Sequence, residues 1–206
     1  MRLLTTGAAA VAMVVFSGAA LAQDAGDEGK VIVPEPDSTR AGPAHENYQP
    51  IIGEWVTRWT LFNPEGEATK EFAGTASNEW IVGGRWVQST FKTDLDLKGE
   101  LFHGVGFFGH DNATGRYHNL WLESNRTAVQ YDKGSYDAEA RTFTFEGEQP
   151  GPDGTLIATR TTMRIDAADR HTIELFVPGV DGVEFRVLEI VLTRRDDSAD
   201  AEEVAP

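Results

Sequence analysis

Residues 100–124 read ELFHGVGFFGHDNATGRYHNLWLES, and within them Gly104, Gly106 and Gly109 have the G-x-G-x-x-G spacing of a dinucleotide-binding loop. Such a loop works only between a strand and a helix, because the helix N-terminus holds the pyrophosphate. Here the glycines run into HDNATG, a turn sequence, and then into RYHNLWLES, which reads as another strand. With no helix start after Gly109, the stretch is a pair of strands joined by a turn. By alternation Gly104 and Gly106 share a face with Phe102 and Phe108. Missing side chains there let a strand coil at a barrel corner or leave room inside.

The same pattern extends in both directions. Runs such as GEWVTRWTLF, RWVQSTFKTDL, RTFTFEGE, RHTIELFV and VEFRVLEIVLTR are separated by turn chemistry at Asn63–Gly66, Gly83–Gly84, Asp111–Gly115, Pro150–Gly154 and Asp181–Gly182. About ten short strands without a long helical period point to a β-sandwich or an antiparallel barrel. AHENYQPII, before the first strand, is long enough for one or two helical turns. In the first run Trp55, Thr57, Trp59 and Leu61 face inward, and in RYHNLWLES one face carries Tyr117, Asn119, Trp121 and Glu123. Gln88 and Thr90 are also read as inward polar groups. A mixed aromatic and polar inner face fits a barrel with a ligand cavity.

The ends of the chain differ from its middle. Arg2, the apolar run Ala8–Phe16 and the ending Ala20-Leu21-Ala22 make residues 1–22 a secretory signal peptide, too short in its apolar core to span a bilayer. Residues 23–43 carry Asp24, Asp27, Glu28, Glu35 and Asp37 among prolines, and 196–206 read DDSADAEEVAP; both are expected to be solvated, disordered segments. A single domain is expected over 44–195, the size of one ordinary core. The formal charge of −15 argues against nucleic acid or an anionic membrane as partner. Without cysteine, the protein has no disulfide, thiolate metal site or cysteine nucleophile.

His103, His110 and His118 surround one turn, yet alternation spreads them over opposite faces, so no metal site is expected. Asp94 to Gly99 contains part of a calcium-loop pattern without its third acid or terminal glutamate, and reads as a solvated hairpin. No G-x-S-x-G or H-E-x-x-H occurs. Glu123, beside Asn119 and Tyr117, is the candidate acid or base, set against a purely structural hydrogen-bonded role. The aromatic set Trp59, Trp80, Trp86, Phe102, Phe108, Tyr117 and Trp121 is the main lead to a ligand.

Two features resemble the calycin superfamily, which includes lipocalins and fatty-acid-binding proteins: Gly53-Glu54-Trp55 at the first strand and Arg194 at the end of the last. That resemblance implies an arginine stacked on the tryptophan across the barrel's closed end. The longer succession HENYQPIIGEW, IVGGRWVQSTF, FHGVGFFGHDNATGRYHNLWLES, KGSYD and DGVEFRVLEIVLTR closely resembles a bacterial family catalogued as domain of unknown function 1579, over His45 to Arg195. His110 stands where that family's pattern has tyrosine, and Glu123 where it has aspartate. Small barrels resembling nitrobindin ligate heme through one late histidine, which here would be His171; no cofactor is otherwise expected.

The reading is an all-β, single antiparallel up-and-down barrel of about ten strands, lipocalin-like, with a short N-terminal helical turn. It is expected to be exported, periplasmic or secreted, and to bind a small apolar or amphipathic molecule. Trp59, Trp86, Phe108, Tyr117, Asn119, Trp121 and Glu123 would contact the ligand, and Gly53, Trp55, Gly104, Gly106 and Arg194 would support the fold. An enzyme using Glu123 and an envelope protein with a filled barrel are the alternatives. Oligomeric state is not legible.

Overall fold

A computed structural model describes residues 37–93, 101–151 and 153–196. Residues 1–22, read above as a signal peptide, most of the acidic N-terminal segment, the Asp94–Gly99 pattern and residues 197–206 lie outside these. A four-residue helix, α1 (Pro43–Glu46), and a 3₁₀ turn at Gln49–Ile51 lead into ten strands. These are β1 (Gly53–Phe62), β2 (Ala68–Ile81), β3 (Trp86–Thr93), β4 (Phe102–Asp111) and β5 (Arg116–Glu123), followed by β6 (Gln130–Asp137), β7 (Thr142–Pro150), β8 (Leu156–Ala167), β9 (Arg170–Pro178) and β10 (Glu184–Arg194). Every strand pairs antiparallel with its sequence neighbours, and β1 closes on β10 through Trp55 opposite Arg194 and Trp59 opposite Ile190. Among the described residues, closure leaves no sheet edge unpaired.

Two clusters fill the interior. Near the α1 end, Tyr48 and Ile51 plug the barrel and pack with Val87, Phe108, Tyr117, Phe143, Phe145, Met163 and Ile165. Tyr48 stacks on Phe143 at 4.6 Å. Burying Tyr48 and Ile51 contributes about 1.5–3 kcal/mol each, which draws this short segment onto the barrel mouth. The second cluster joins Trp55, Trp59, Ala76, Phe91, Phe102, Ile190 and Leu192. Arg194 lies over the Trp55 ring at 4.3 Å and donates to the Ile52 and Pro50 carbonyls at 2.9 and 3.0 Å. Gly53 makes this possible: its φ is +127°, and a Cβ there would lie 2.5 Å from Arg194 Nη1.

The glycine spacing now has a steric explanation. Gly104 and Gly106 lie opposite Glu123 and Trp121 on the inner face of the β4–β5 pair. A Cβ on Gly104 would overlap Trp121 Cζ2, and one on Gly106 would press to 3.1 Å from its Cε3. Gly109 serves the outer face, where a Cβ would come within 2.6 Å of the Trp86 indole. Two glycines seat one tryptophan inside, and the third seats another outside.

That arrangement corrects one reading of β3. Val87, Ser89, Phe91 and Thr93 are its buried residues, while Trp86, Gln88 and Thr90 belong to the outer face together with the exposed Lys92. Trp86 is therefore not an interior residue, and Gln88 and Thr90 do not supply interior polarity. An unpaired lysine is almost never buried, so Lys92 at even spacing from Trp86 carried the face assignment.

Candidate functional site

The half of the barrel away from Tyr48 holds a partly open cavity of about 360 Å³. Pockets of about 300–1,000 Å³ are the usual size for small-molecule sites. Its aromatic wall comes from Trp59 on β1, Phe72 on β2, Phe91 on β3, Phe102 and Phe108 on β4, and Trp121 on β5. Trp59 is fixed from several directions: its Nε1 donates to Thr57 Oγ1 at 2.9 Å, and its ring meets Phe72, Phe91 and Phe102 at 5.4–5.8 Å. Ile173, Leu175, Leu188 and Ile190 complete the apolar side.

The polar groups of the wall come from β5, β6 and the segment between them, with Gln149 on β7 and Thr161 on β8. Glu123 accepts from Trp121 Nε1 at 2.7 Å and pairs with Arg126 at 2.9 Å. Arg126 also donates to Gln149 at 2.5 Å, so Glu123, Arg126 and Gln149 form a tied group on the cavity wall. A carboxylate held this way orients Trp121 and is already engaged by a cation. Behind the wall, Asn119 Nδ2 and Gln130 Nε2 both donate to Asp132 Oδ2 at 2.9 Å, and Asp132 itself does not line the cavity. Burial raises the Asp132 carboxyl above its ordinary value, and the two amide hydrogen bonds act against that shift.

Of the residues proposed from sequence, Trp59, Phe108, Asn119, Trp121 and Glu123 all line this cavity. Tyr117 belongs to the core at the α1 end, where its hydroxyl accepts from Asn47 Nδ2 at 2.7 Å and donates to the Ala44 carbonyl at 3.1 Å. Trp86 is on the outer face beside His118. His171 is not part of the cavity wall. It is 1% exposed, lies edge-on to Trp55 at 4.3 Å, and has no hydrogen-bond partner at either ring nitrogen. Desolvation lowers its pKa from 6.5 to about 4. Among the described residues, no cluster of three or more metal-ligating side chains occurs.

Sequence reasoning missed Gln130, Asp132 and the Phe72 and Phe91 rings. In the run AVQYDKGSY, strand alternation places Gln130, Asp132 and Gly134 inside, while Tyr131 and Lys133 face out. An inner face made of amide, acid and glycine has no apolar period to betray it. Its signal was again a lysine, Lys133, marking the outer face.

Residues 40–194 match the sequence model of a family described as protein of unknown function, DUF1579. No curated protein matches the chain. Among solved structures, the barrel is similar to that of Rv2717c from M. tuberculosis, with TM-score 0.57 and 18% identity over 76% of this chain and 100% of the other. It is also similar to the S-type phycobiliprotein lyase CPES from Guillardia theta, with TM-score 0.52 and 12% identity over 75% of this chain and 93% of that one. These are likenesses of fold. No helix among the described residues is long and apolar enough to cross a membrane. A ten-stranded closed barrel with the family's match across nearly all of its strands makes the chain a member of the DUF1579 family, with a lipocalin-like fold.

Proposed function

We propose that this is an exported binding protein whose barrel holds one small apolar or amphipathic molecule. The observation that carries the reading is the cavity of about 360 Å³, walled by Trp59, Phe72, Phe91, Phe102, Phe108 and Trp121 but carrying amide and carboxyl groups along one side. A packed structural core has no use for buried amides along an apolar cavity, because each polar group costs free energy unless it is satisfied. An amphipathic guest meets both surfaces. Export is supported by the leader pattern of residues 1–22, and a fold without disulfides is compatible with it. The fluorescent probe N-phenyl-1-naphthylamine tests the reading. It should bind with one-to-one saturation, and Trp121→Ala should weaken it by about tenfold or more while the variant stays folded by circular dichroism. Saturation unchanged in that variant, or no saturable binding at all, would overturn the proposal.

A further inference from the structure

Resting on the cavity reading, we infer that the guest's polar head is an uncharged hydrogen-bond acceptor, the carbonyl of a ketone, ester or amide, received by Arg126 and Gln149 on the cavity wall. β5 starts beside the plug, where Tyr117 meets Tyr48, and ends at Glu123, so the corner formed by Glu123, Arg126 and Gln149 belongs to the opposite end of the barrel. All three residues line the cavity. The Arg126 and Glu123 side chains are 27% and 16% exposed, so a guest can reach this corner.

The bonds already made decide which chemistry is left over. Both Glu123 oxygens are taken, Oε2 by the Trp121 indole N–H at 2.7 Å and Oε1 by Arg126 Nε at 2.9 Å. Gln149 accepts from Arg126 Nη1 through its carbonyl oxygen, which turns its amide nitrogen into the remaining donor. Among the described residues, the polar atoms of this trio left without a partner are therefore Arg126 Nη2 and Gln149 Nε2, and neither is sealed from solvent. A surface of spare N–H groups suits an acceptor oxygen and offers nothing to an amine. Charge is the second constraint. Glu123 balances Arg126 on the wall, and the same guanidinium also acts on Asp132 behind it, opposing the upward shift that burial gives that carboxyl. A carboxylate head would add a third acid around one cation and would lose its own hydration on entry. A carbonyl oxygen takes the N–H groups without bringing charge, and a hydrogen bond to a charged donor is stronger than one between neutral groups.

The experiment uses octane, 2-octanone, octanoate and octylamine as competitors for N-phenyl-1-naphthylamine. Each affinity is compared between the unaltered protein and a variant, which cancels the competitor's own transfer from water; octane is the control for the cavity itself. Gln149→Glu keeps the oxygen that Arg126 needs and replaces the spare N–H group by a second oxygen, so it should weaken 2-octanone about tenfold relative to octane. Glu123→Gln removes the charge that balances Arg126, and should raise octanoate about tenfold relative to 2-octanone. If Gln149→Glu does not fold, Arg126→Lys, which keeps the charge beside Glu123 and removes the guanidinium fork, should give the same selective loss of the ketone. A ketone affinity that follows octane in the variants, or octanoate or octylamine binding the unaltered protein more tightly than 2-octanone, overturns the inference and leaves the cavity reading standing. Failure of every competitor, octane included, overturns both.

Discussion

Gly104, Gly106 and Trp121 act as one unit. The indole lies across two strand positions that have no side chain of their own, which lets Trp121 pack beside Phe91 and Phe102 at centroid distances of 5.5 and 6.5 Å. Gly104→Ala should therefore destabilise the protein by about 1–3 kcal/mol in urea unfolding, the usual cost of overfilling a packed interior. The loss should shrink when Trp121→Leu removes the ring that the new methyl group meets. If the two effects simply add, the indole is not the obstacle. The glycines were conspicuous in the sequence, and alternation gave their face. Which ring they made room for was not, because Trp121 is on another strand and only the register brings it opposite Gly106.

At the scale of the element, the last strand and the N-terminal segment hold each other. Arg194 at the end of β10 stacks on Trp55 and bonds the carbonyls of Pro50 and Ile52, while Gly53 gives it space. Arg194→Leu should cost about 2–4 kcal/mol, since a charge-assisted network and a cation–π contact are lost together. Hydrogen exchange should accelerate first in residues 43–53. Uniform acceleration across all strands would mean that Arg194 is not a local latch. The first and last strands were readable because Trp55, Trp59 and their neighbours alternate cleanly and the Gly-x-Trp start has a family parallel. The third and sixth were harder. Their inner faces include Ser89, Thr93, Gln130 and Asp132, so hydrophobic period alone pointed Trp86 the wrong way and passed over Asp132. In both, a lysine on the opposite face held the missing information.

For the whole molecule, the buried His171 ties stability to pH. Its imidazole is held neutral by desolvation, with a pKa of about 4 against 6.5 when exposed, and the nearby Arg194 charge acts in the same direction while Asp166 opposes it. Above pH 6.5 both folded and unfolded chains leave it neutral, so the group makes no difference there. As pH falls from 6.5 to 4 only the unfolded chain takes up the proton, and stability should drop by about 3 kcal/mol before levelling off. His171→Leu should flatten that limb of the unfolding profile; an unchanged profile would assign the acid sensitivity elsewhere. The fold as a whole was legible because strand spacing and turns recur along the entire chain. The position of its cavity was not, since it depends on which end Tyr48 and Ile51 plug. Whether a guest occupies that cavity is decided most directly by the crystal structure of the protein with N-phenyl-1-naphthylamine. The probe should lie between Trp59, Phe102 and Trp121, with the plug at Tyr48 undisturbed. Side chains collapsed across that space, with the probe on the outer surface, would contradict it.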